Sequence, residues 1–393
     1  MQINDSIAVI GGGPVGSVLA LLLARQGLAV TVLEARKQGA SHADSRALAL
    51  SYGSRRILEK LGLWTQLMPH ATAINTIHVS QKGSMGRTVL NAGDYKQDAL
   101  GYVLSYGALS AVLDAALSTQ ATVNFIFEAS AQNITHQSHH ATVTYRHLDS
   151  AYSLQSALVV LADGGRSLDE LANVTRETKE YGHDALVTKV RAELPHNNIA
   201  YERFTPNGPM ALLPNGKHDF SLVWTGKKEY ITPLLTLNDA DFLAQFHQQF
   251  GDRVGRFLSV EKRMSFPLKM SQLKATDAQE AEAPHLVVIG NAAQTMHPVA
   301  GQGFNVGLRD AESLAQCIAS SSAATLGSSE MLAVYRAGRK ADTKGGLLFT
   351  DFLVNVFSND MIGISSLRGA GLGLLDVIKP VKKMLVGKMS FGK

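Results

Sequence analysis

Gly11, Gly13 and Gly16 fall in the string Gly11-Gly12-Gly13-Pro14-Val15-Gly16, and a carboxylate, Glu34, follows 21 residues after Gly13. That spacing suits a dinucleotide. The glycines permit a tight turn, let the backbone approach a pyrophosphate and bring a helix close to a strand. A helix starting there turns its unpaired N–H groups on the phosphates, and Glu34 accepts hydrogen bonds from an adenosine ribose. These residues alone leave open whether the dinucleotide is NAD or FAD. Other reactive residue types lack a comparable setting. His136, His139, His140 and His147 gather around a hairpin turn with no carboxylate or cysteine at ligand spacing, so a solvated turn and no metal is expected. Cys317, the single cysteine, lies among Leu314, Ala315 and Ile318 and reads as a small buried hydrophobe. No Gly-x-Ser-x-Gly elbow supports a serine hydrolase.

The elements that must position these residues begin at once. Ile7–Ile10 is an apolar β run, Val15–Gln26 is an Ala/Leu-rich helix, Gly27 closes it, and Leu28–Leu33 is a second strand ending in Glu34. Together they make a βαβ unit. Arg46–Leu61 reads as a helix, and Ala73–Ser80 with Arg87–Leu90 as strands around a glycine turn, an excursion out of the first domain. Gly107–Leu117 returns as a helix, followed by short strands at Val123–Phe127, Gln132–His136, Ala141–Tyr145 and Leu158–Ala162. From Ala185 to about Leu268 the pattern is mostly β, with one helix near Asp239–Phe250, which predicts a second, sheet-rich domain. Leu286–Ile289 and the helix Phe304–Ser320 resume the nucleotide-binding pattern, so the first domain is discontinuous.

Length and composition exclude several classes. A chain of 393 residues can bury a large core and divide in two. The net charge of +4 is spread without basic blocks, and nucleic-acid binding, which needs clustered Lys and Arg, is not suggested. One cysteine precludes an intramolecular disulfide and suits a reducing, cytoplasmic setting. No stretch reaches the roughly 18 to 20 apolar residues of a spanning helix, and the first residues do not read as a signal peptide.

A second constellation narrows the choice of dinucleotide. The stretch Gly290-Asn291-Ala292-Ala293-Gln294-Thr295-Met296-His297-Pro298-Val299-Ala300-Gly301-Gln302-Gly303-Phe304-Asn305 resembles the second FAD fingerprint of the group A aromatic hydroxylases, the para-hydroxybenzoate hydroxylase-like flavoprotein monooxygenases. In that family a strand-end acid binds the ribityl chain, and a Pro-x-x-Gly-Gln-Gly turn opens a helix aimed at the flavin pyrimidine. A helix N-terminus there stabilises the negative charge of a reduced flavin. Ala162-Asp163-Gly164-Gly165-Arg166-Ser167 resembles the family's Asp-Gly motif, and Ser45-Arg46-Ala47-Leu48-Ala49-Leu50 the segment whose arginine lies near the ribityl and phosphate region. Two departures stand out. Glu170 occupies the usual place of an arginine that contacts the nicotinamide nucleotide, and Asn291 replaces the usual aspartate, keeping an acceptor oxygen without the charge. Glu202–Pro214 and Ala73–Ser80 are similar to segments of the bacterial ubiquinone-biosynthesis hydroxylases, a resemblance that spans nearly the whole chain.

The resemblance implies an α/β protein. A Rossmann-like FAD-binding domain (1–72, 101–182 and 276–325) is interrupted by a sheet-rich substrate domain (73–100 and 183–275), and a helical C-terminal region (326–393) follows. It implies FAD held by Gly11, Gly13, Gly16, Glu34, Arg46, Asp163, Gly164, Gly290, Asn291, Pro298, Gly301, Gln302, Gly303, Phe304 and Asn305. His297 would lie by the flavin face, either packing there or polarising the phenol, and Arg203 and Phe204 would be walls of the substrate pocket. The implied reaction is aerobic hydroxylation of a prenylated phenol by O₂ through a flavin C4a-hydroperoxide, with NADPH or NADH as the electron donor. A flavin oxidoreductase without oxygen transfer, or a catalytically idle FAD-bearing component of an assembly, would share the same cradle. The Gly345–Lys393 tail, with Lys379, Lys382, Lys383 and Lys388 among apolar residues, suits either a peripheral contact with the inner membrane or a helical cap. Association with other ubiquinone-biosynthesis enzymes is a further implication of the family.

Overall fold

The computed structural model describes residues 6–84, 86–166, 175–274, 283–295, 302–340 and 379–391. Along the chain run β1 (Ser6–Ile10), α1 (Pro14–Ala24), β2 (Ala29–Glu34), β3 (Ala47–Ser51), α2 (Tyr52–Lys60), α3 (Trp64–Leu67), β4 (Thr72–Ile74), β5 (Thr76–Gln81), β6 (Arg87–Asn91) and β7 (Gly101–Ser105). Then follow α4 (Tyr106–Ser118), β8 (Val123–Phe127), β9 (Ala129–His136), β10 (Ala141–His147), β11 (Ser150–Ser156), β12 (Leu158–Leu161), β13 (Thr175–Ala192), β14 (Ile199–Thr205), β15 (Gly208–Pro214) and β16 (Asp219–Lys227). The described remainder comprises α5 (Lys228–Thr236), α6 (Asp239–Phe250), β17 (Phe257–Val260), β18 (Met264–Lys274), β19 (Leu286–Val288), β20 (Gln294–Thr295), α7 (Gln302–Ala319), a helix over residues 329–340, and a C-terminal helix Lys379–Phe391.

The first sheet is parallel, in the order β19-β12-β1-β2-β8. Its strands are mostly apolar because helices cover one face and the β9–β11 meander the other. Ile7, Val9, Val32, Leu158 and Val160 pack with α1, α4 and α7, while Ala8, Ile10, Leu33, Val159 and Leu161 pack with the meander. Every strand of this sheet ends on the same side. A crevice therefore opens outside its carboxyl edge, where open α/β sheets take their ligands.

The second sheet has nine strands, with β20-β18-β13-β16-β15-β14-β5-β6 in line and β17 beside β13. Helices α5 and α6 cover its outer face, and Val386 of the C-terminal helix packs on Leu90 and Ile77 at the other. Phe242, Phe246 and Phe250 recur every four residues along α6, so they share one stripe, and they bury completely with Trp224 and Phe220 of the sheet. A small sheet, β3-β7-β4, joins the two large ones: Val103 of β7 and Ile74 of β4 pack on Ala200 of β14. β20, just past Gly290, hydrogen-bonds β18 at the far edge of the nine-stranded sheet. The chain thus ties the sheets together at two places.

Arg46–Leu61, expected as one helix, divides instead into a strand and a helix. Ala47–Ser51 pairs antiparallel with Gly101–Ser105, and the helix begins only where the Ser51 side chain caps Ser54 N. Interstrand pairing overrides the helical propensity of Ala and Leu. Ser150–Ser156, too polar to read as a strand, pairs in register with β10 along its whole length. α5 was likewise not anticipated, with Pro233 inside it. No described helix is long and apolar enough to cross a membrane. Of the tail, residues 341–378 lie outside the described residues. The Lys379–Phe391 helix docks on the body, Phe391 edge-on to Tyr52 at 6.0 Å and Lys382 Nζ donating to the Val89 carbonyl at 2.9 Å.

Candidate functional site

The crevice is shaped first by backbone. Gly11 follows β1 with φ +103°, and its N–H donates to the Leu33 carbonyl at 2.8 Å. A Cβ there would sit 2.5 Å from Asp163 Cα, so only glycine lets the first and second motifs touch. A Cβ on Gly16 would collide with the Gly11 carbonyl oxygen. Gly13 differs: it is the N-cap of α1, no side chain caps the helix, and the nearest atom to an added Cβ would be the Tyr106 hydroxyl at 3.6 Å. Val15 and Gly16, in the first turn, have no intrahelical acceptor for their N–H groups. The helix start therefore faces the crevice as a bare positive end, with room directly in front of it.

Glu34 closes one end. It is 5% exposed, and both carboxylate oxygens are engaged: Oε2 accepts from Gly12 N at 2.8 Å and Arg36 Nη2 at 3.0 Å, Oε1 from Arg36 Nε at 2.7 Å and Arg36 N at 2.9 Å. Burial pushes its pKa up, but the Arg36 guanidinium and the backbone donors outweigh that and hold it below the ordinary carboxylate value. Arg36 in turn is held above its ordinary value, chiefly by its hydrogen bonds to Glu34. Arg36 also reaches the Ser41 hydroxyl at 2.6 Å. Glu34 thus stays ionised at neutral pH and presents a fixed pair of acceptor oxygens.

The second and third motifs arrive on β12 and β19. Gly164 and Gly165 both have positive φ, and Gly165 N donates to Asp163 Oδ1 at 2.8 Å, a local turn that holds the carboxylate at the strand end. Gly290, at φ +62°, donates its N–H to Asp310 Oδ2 at 3.0 Å. Asp310 is 3% exposed and its other oxygen accepts from Arg339 Nε at 2.7 Å, a buried pair that ties the 329–340 helix to the turn before Asn291. Val15 of α1 lies against Gly290 and Gly307, so the first and third motifs pack directly on each other.

Motifs far apart in the chain therefore meet in one crevice of about 430 Å³, whose lining includes Gly11, Gly13, Glu34, Asp163, Gly164, Asn291, Gly303 and Phe304. Other expected residues stand behind it. Gly16 and Gly290 serve close packing, and Gln302 opens α7. The Asn305 amide is taken up inside the protein: its Oδ1 accepts from Ser51 N at 2.8 Å and Ser54 Oγ at 2.7 Å, and its Nδ2 donates to the Ala49 carbonyl at 2.9 Å. Asn305 thereby fastens the β3–α2 junction to α7. Arg46 is paired with Asp44 and its guanidinium lies 5.3 Å from the Tyr106 ring centre, outside the lining. His297, Pro298 and Gly301 lie outside the described residues.

Arg203 and Phe204 are on neighbouring positions of β14 and so on opposite faces. Arg203 turns outward, its Nε donating to the Gln249 carbonyl at the end of α6 at 3.1 Å and its Nη1 to Ser80 Oγ at 3.3 Å. Phe204 is on the face turned to the nucleotide-binding part. Several lining residues were not anticipated from sequence: Arg36, Tyr106, Ala129, Ala131 and Arg166. Arg36 had a signal, two residues after Glu34. Tyr106 and the alanines had none, since only the folding of α4 and β9 brings them to the crevice.

Residues 5–345 match the family described as FAD binding domain. The chain belongs to that family. FAD is its cofactor, and it is an FAD-dependent monooxygenase of the aromatic-hydroxylase kind. The crevice fits this group, with an uncapped helix start open to a pyrophosphate, a buried ionised carboxylate at one end and glycine where a side chain would fill the cradle. Over 386 residues the chain is 32% identical to the ubiquinone hydroxylase UbiL of Rhodospirillum rubrum, covering 97% of this chain and 88% of that one. It is 30% identical to the 3-demethoxyubiquinol 3-hydroxylase of Escherichia coli, with 93% of each chain covered. In fold it is similar to p-nitrophenol 4-monooxygenase PnpA from Pseudomonas putida, with a TM-score of 0.76 at 16% identity and 98% of each chain covered. PqsL from Pseudomonas aeruginosa, a probable FAD-dependent monooxygenase, gives a TM-score of 0.74 at 23% identity over 93% of this chain and 98% of that one.

Proposed function

We propose that this protein hydroxylates the aromatic ring of a polyprenylated methoxyphenol on the route to ubiquinone, using O₂ and electrons from NADPH or NADH. The observation that carries this reading is the convergence of three glycine-punctuated bends on one crevice. The names of the relatives that match over nearly the full chain supply the substrate class.

Bound FAD would supply the redox chemistry: with two electrons from NADPH or NADH, one atom of O₂ would go to an electron-rich ring carbon and the other would leave as water. The residues of this chain hold, orient and shield. The α1 N-terminus takes the pyrophosphate, Glu34 the adenosine ribose, and Asp163 and Asn291 the ribityl side. The start of α7, whose Gly303 and Phe304 line the crevice, would hold the flavin ring, and a positive helix end there would favour the negative charge of its reduced form. The nine-stranded sheet closes the chamber with apolar side chains, Phe204 among them, and excludes water. His297 shapes the substrate side. We divide the chain for these tasks as expected above, with 73–100 and 183–275 forming the substrate domain, and we place the protein at the membrane surface, where a prenylated substrate resides.

The test is product mass. The purified flavoprotein, incubated with a prenylated methoxyphenol, NADPH or NADH and ¹⁸O₂, yields a product heavier by one labelled oxygen atom. Substrate consumption without label in the product would show an oxidoreductase that transfers no oxygen.

A further inference from the structure

The inner face of the nine-stranded sheet holds a carboxylate, Glu202, that no described residue pairs with. On β14, Tyr201 and Arg203 face α6: the Tyr201 ring meets Phe250 at 5.5 Å, and Arg203 donates to Gln249. Glu202, between them, faces the opposite way. Two residues back on that same face, Ala200 packs against Ile74 and Val103, which turns the face toward the nucleotide-binding part. The register places Val79 beside Glu202 on one side and Ala211 on the other, with Val223 beyond Ala211 and Val187 beyond Val223.

Two contrasts single this panel out. Its apolar members Val79, Ala211, Leu213, Val223 and Val187 are only half-buried, whereas their neighbours on the outer face, Met210, Leu212, Leu222, Trp224 and Leu186, are completely buried. Around Glu202 the inner face is therefore less closely covered than the outer one, although Ala185, Ala200 and Phe204 of the same face are buried. Within it, Glu202 is itself half-buried and makes no hydrogen bond or ion pair to any described residue, and desolvation by its apolar neighbours pushes its pKa up to about 8. Gln81, beside Phe204 on this face, also buries its side-chain oxygen without a donor. Native proteins seldom leave an acceptor unpartnered in an apolar setting unless a ligand supplies the donor.

We propose that Glu202 is the substrate-binding carboxyl of this chamber, accepting the hydrogen bond of a phenolic hydroxyl and orienting the ring on the apolar panel. This rests on the phenol-hydroxylating reading above and names its recognition group. A methyl ether cannot donate that bond, so the site discriminates a phenol from its O-methylated form.

The experiment titrates the FAD-loaded protein with a short-chain prenylated methoxyphenol and with the dimethoxybenzene obtained by methylating its hydroxyl, following the flavin absorbance. The wild type is expected to bind the phenol about tenfold or more tightly than the ether, the scale of a hydrogen bond to a charged or buried acceptor. Glu202→Leu brings the ratio to about one through loss of phenol affinity, with ether binding and flavin content unchanged. Glu202→Gln, which keeps an acceptor oxygen, retains part of the preference, and a purely structural role would not produce this graded order. A wild-type preference that survives in both variants would overturn the assignment and leave the hydroxylase reading standing. Failure of the wild type to bind either compound would remove both.

Discussion

The crevice and the sheet face solve recognition in different ways. At the crevice the groups presented are mostly backbone: a bare helix start, glycine turns with positive φ, and one carboxylate held by Arg36 and by Gly12 N. On the sheet the groups are side chains, and which of them reach the chamber is decided by alternation and by strand order. A backbone cradle suits a cofactor that does not vary. A side-chain panel can be altered residue by residue for a new substrate while the cradle is left alone.

Substitutions can break that contrast or sharpen it. The largest effect is expected for Gly11→Val, which places a branched Cβ on the Asp163 backbone at a positive φ; the chain should fail to accumulate as soluble flavoprotein, read from the ratio of flavin to protein absorbance. Asp310→Ala removes the buried carboxylate that accepts from both Arg339 Nε and Gly290 N. A loss of about 3–5 kcal/mol in urea unfolding should follow, with flavin binding weakened because the turn before Asn291 is released. Asn305→Ala removes the acceptor for Ser51 N and Ser54 Oγ, for about 2–3 kcal/mol, and tests whether this residue acts as a clasp.

Glu34→Gln should cost about 1 kcal/mol at neutral pH, and its pH signature is the sharper measurement. A carboxylate with a lowered folded pKa contributes stability that is fully present above its ordinary value of 4.5 and is lost as pH falls through the folded value. The variant should therefore lose less stability than the wild type on acidification below about pH 4.5. The smallest effect on stability is expected for Gly13→Ala, whose added methyl group meets nothing closer than 3.6 Å. Its unfolding midpoint should barely move while its flavin affinity falls. A variant that keeps full affinity would mean that the α1 start does not receive the cofactor.

Much of the cradle was legible because its physics is local. A turn that needs glycine, a helix that follows it and an acid at the end of the next strand leave marks within one stretch of chain, and the same holds for Asp163-Gly164 and Gly290-Asn291. The elements that misled were those governed by distant partners. Ala47–Ser51 has helix-forming composition yet becomes a strand because Gly101–Ser105 offers it hydrogen bonds. Asn305 sits within a flavin motif, but its amide is committed to Ser51, Ser54 and Ala49, over 250 residues away. Arg203 and Glu202 are adjacent in sequence, and only the placement of α6 on the outer face decides which of them can meet a substrate.

By itself the amino-acid order determined that this chain holds a dinucleotide on a strand-turn-helix frame, because steric permission at glycine is a property of single residues and short spacings. Tertiary structure alone decided which side chains line the chamber. Burial, register and the unpartnered state of Glu202 arise only when strands distant in sequence lie side by side.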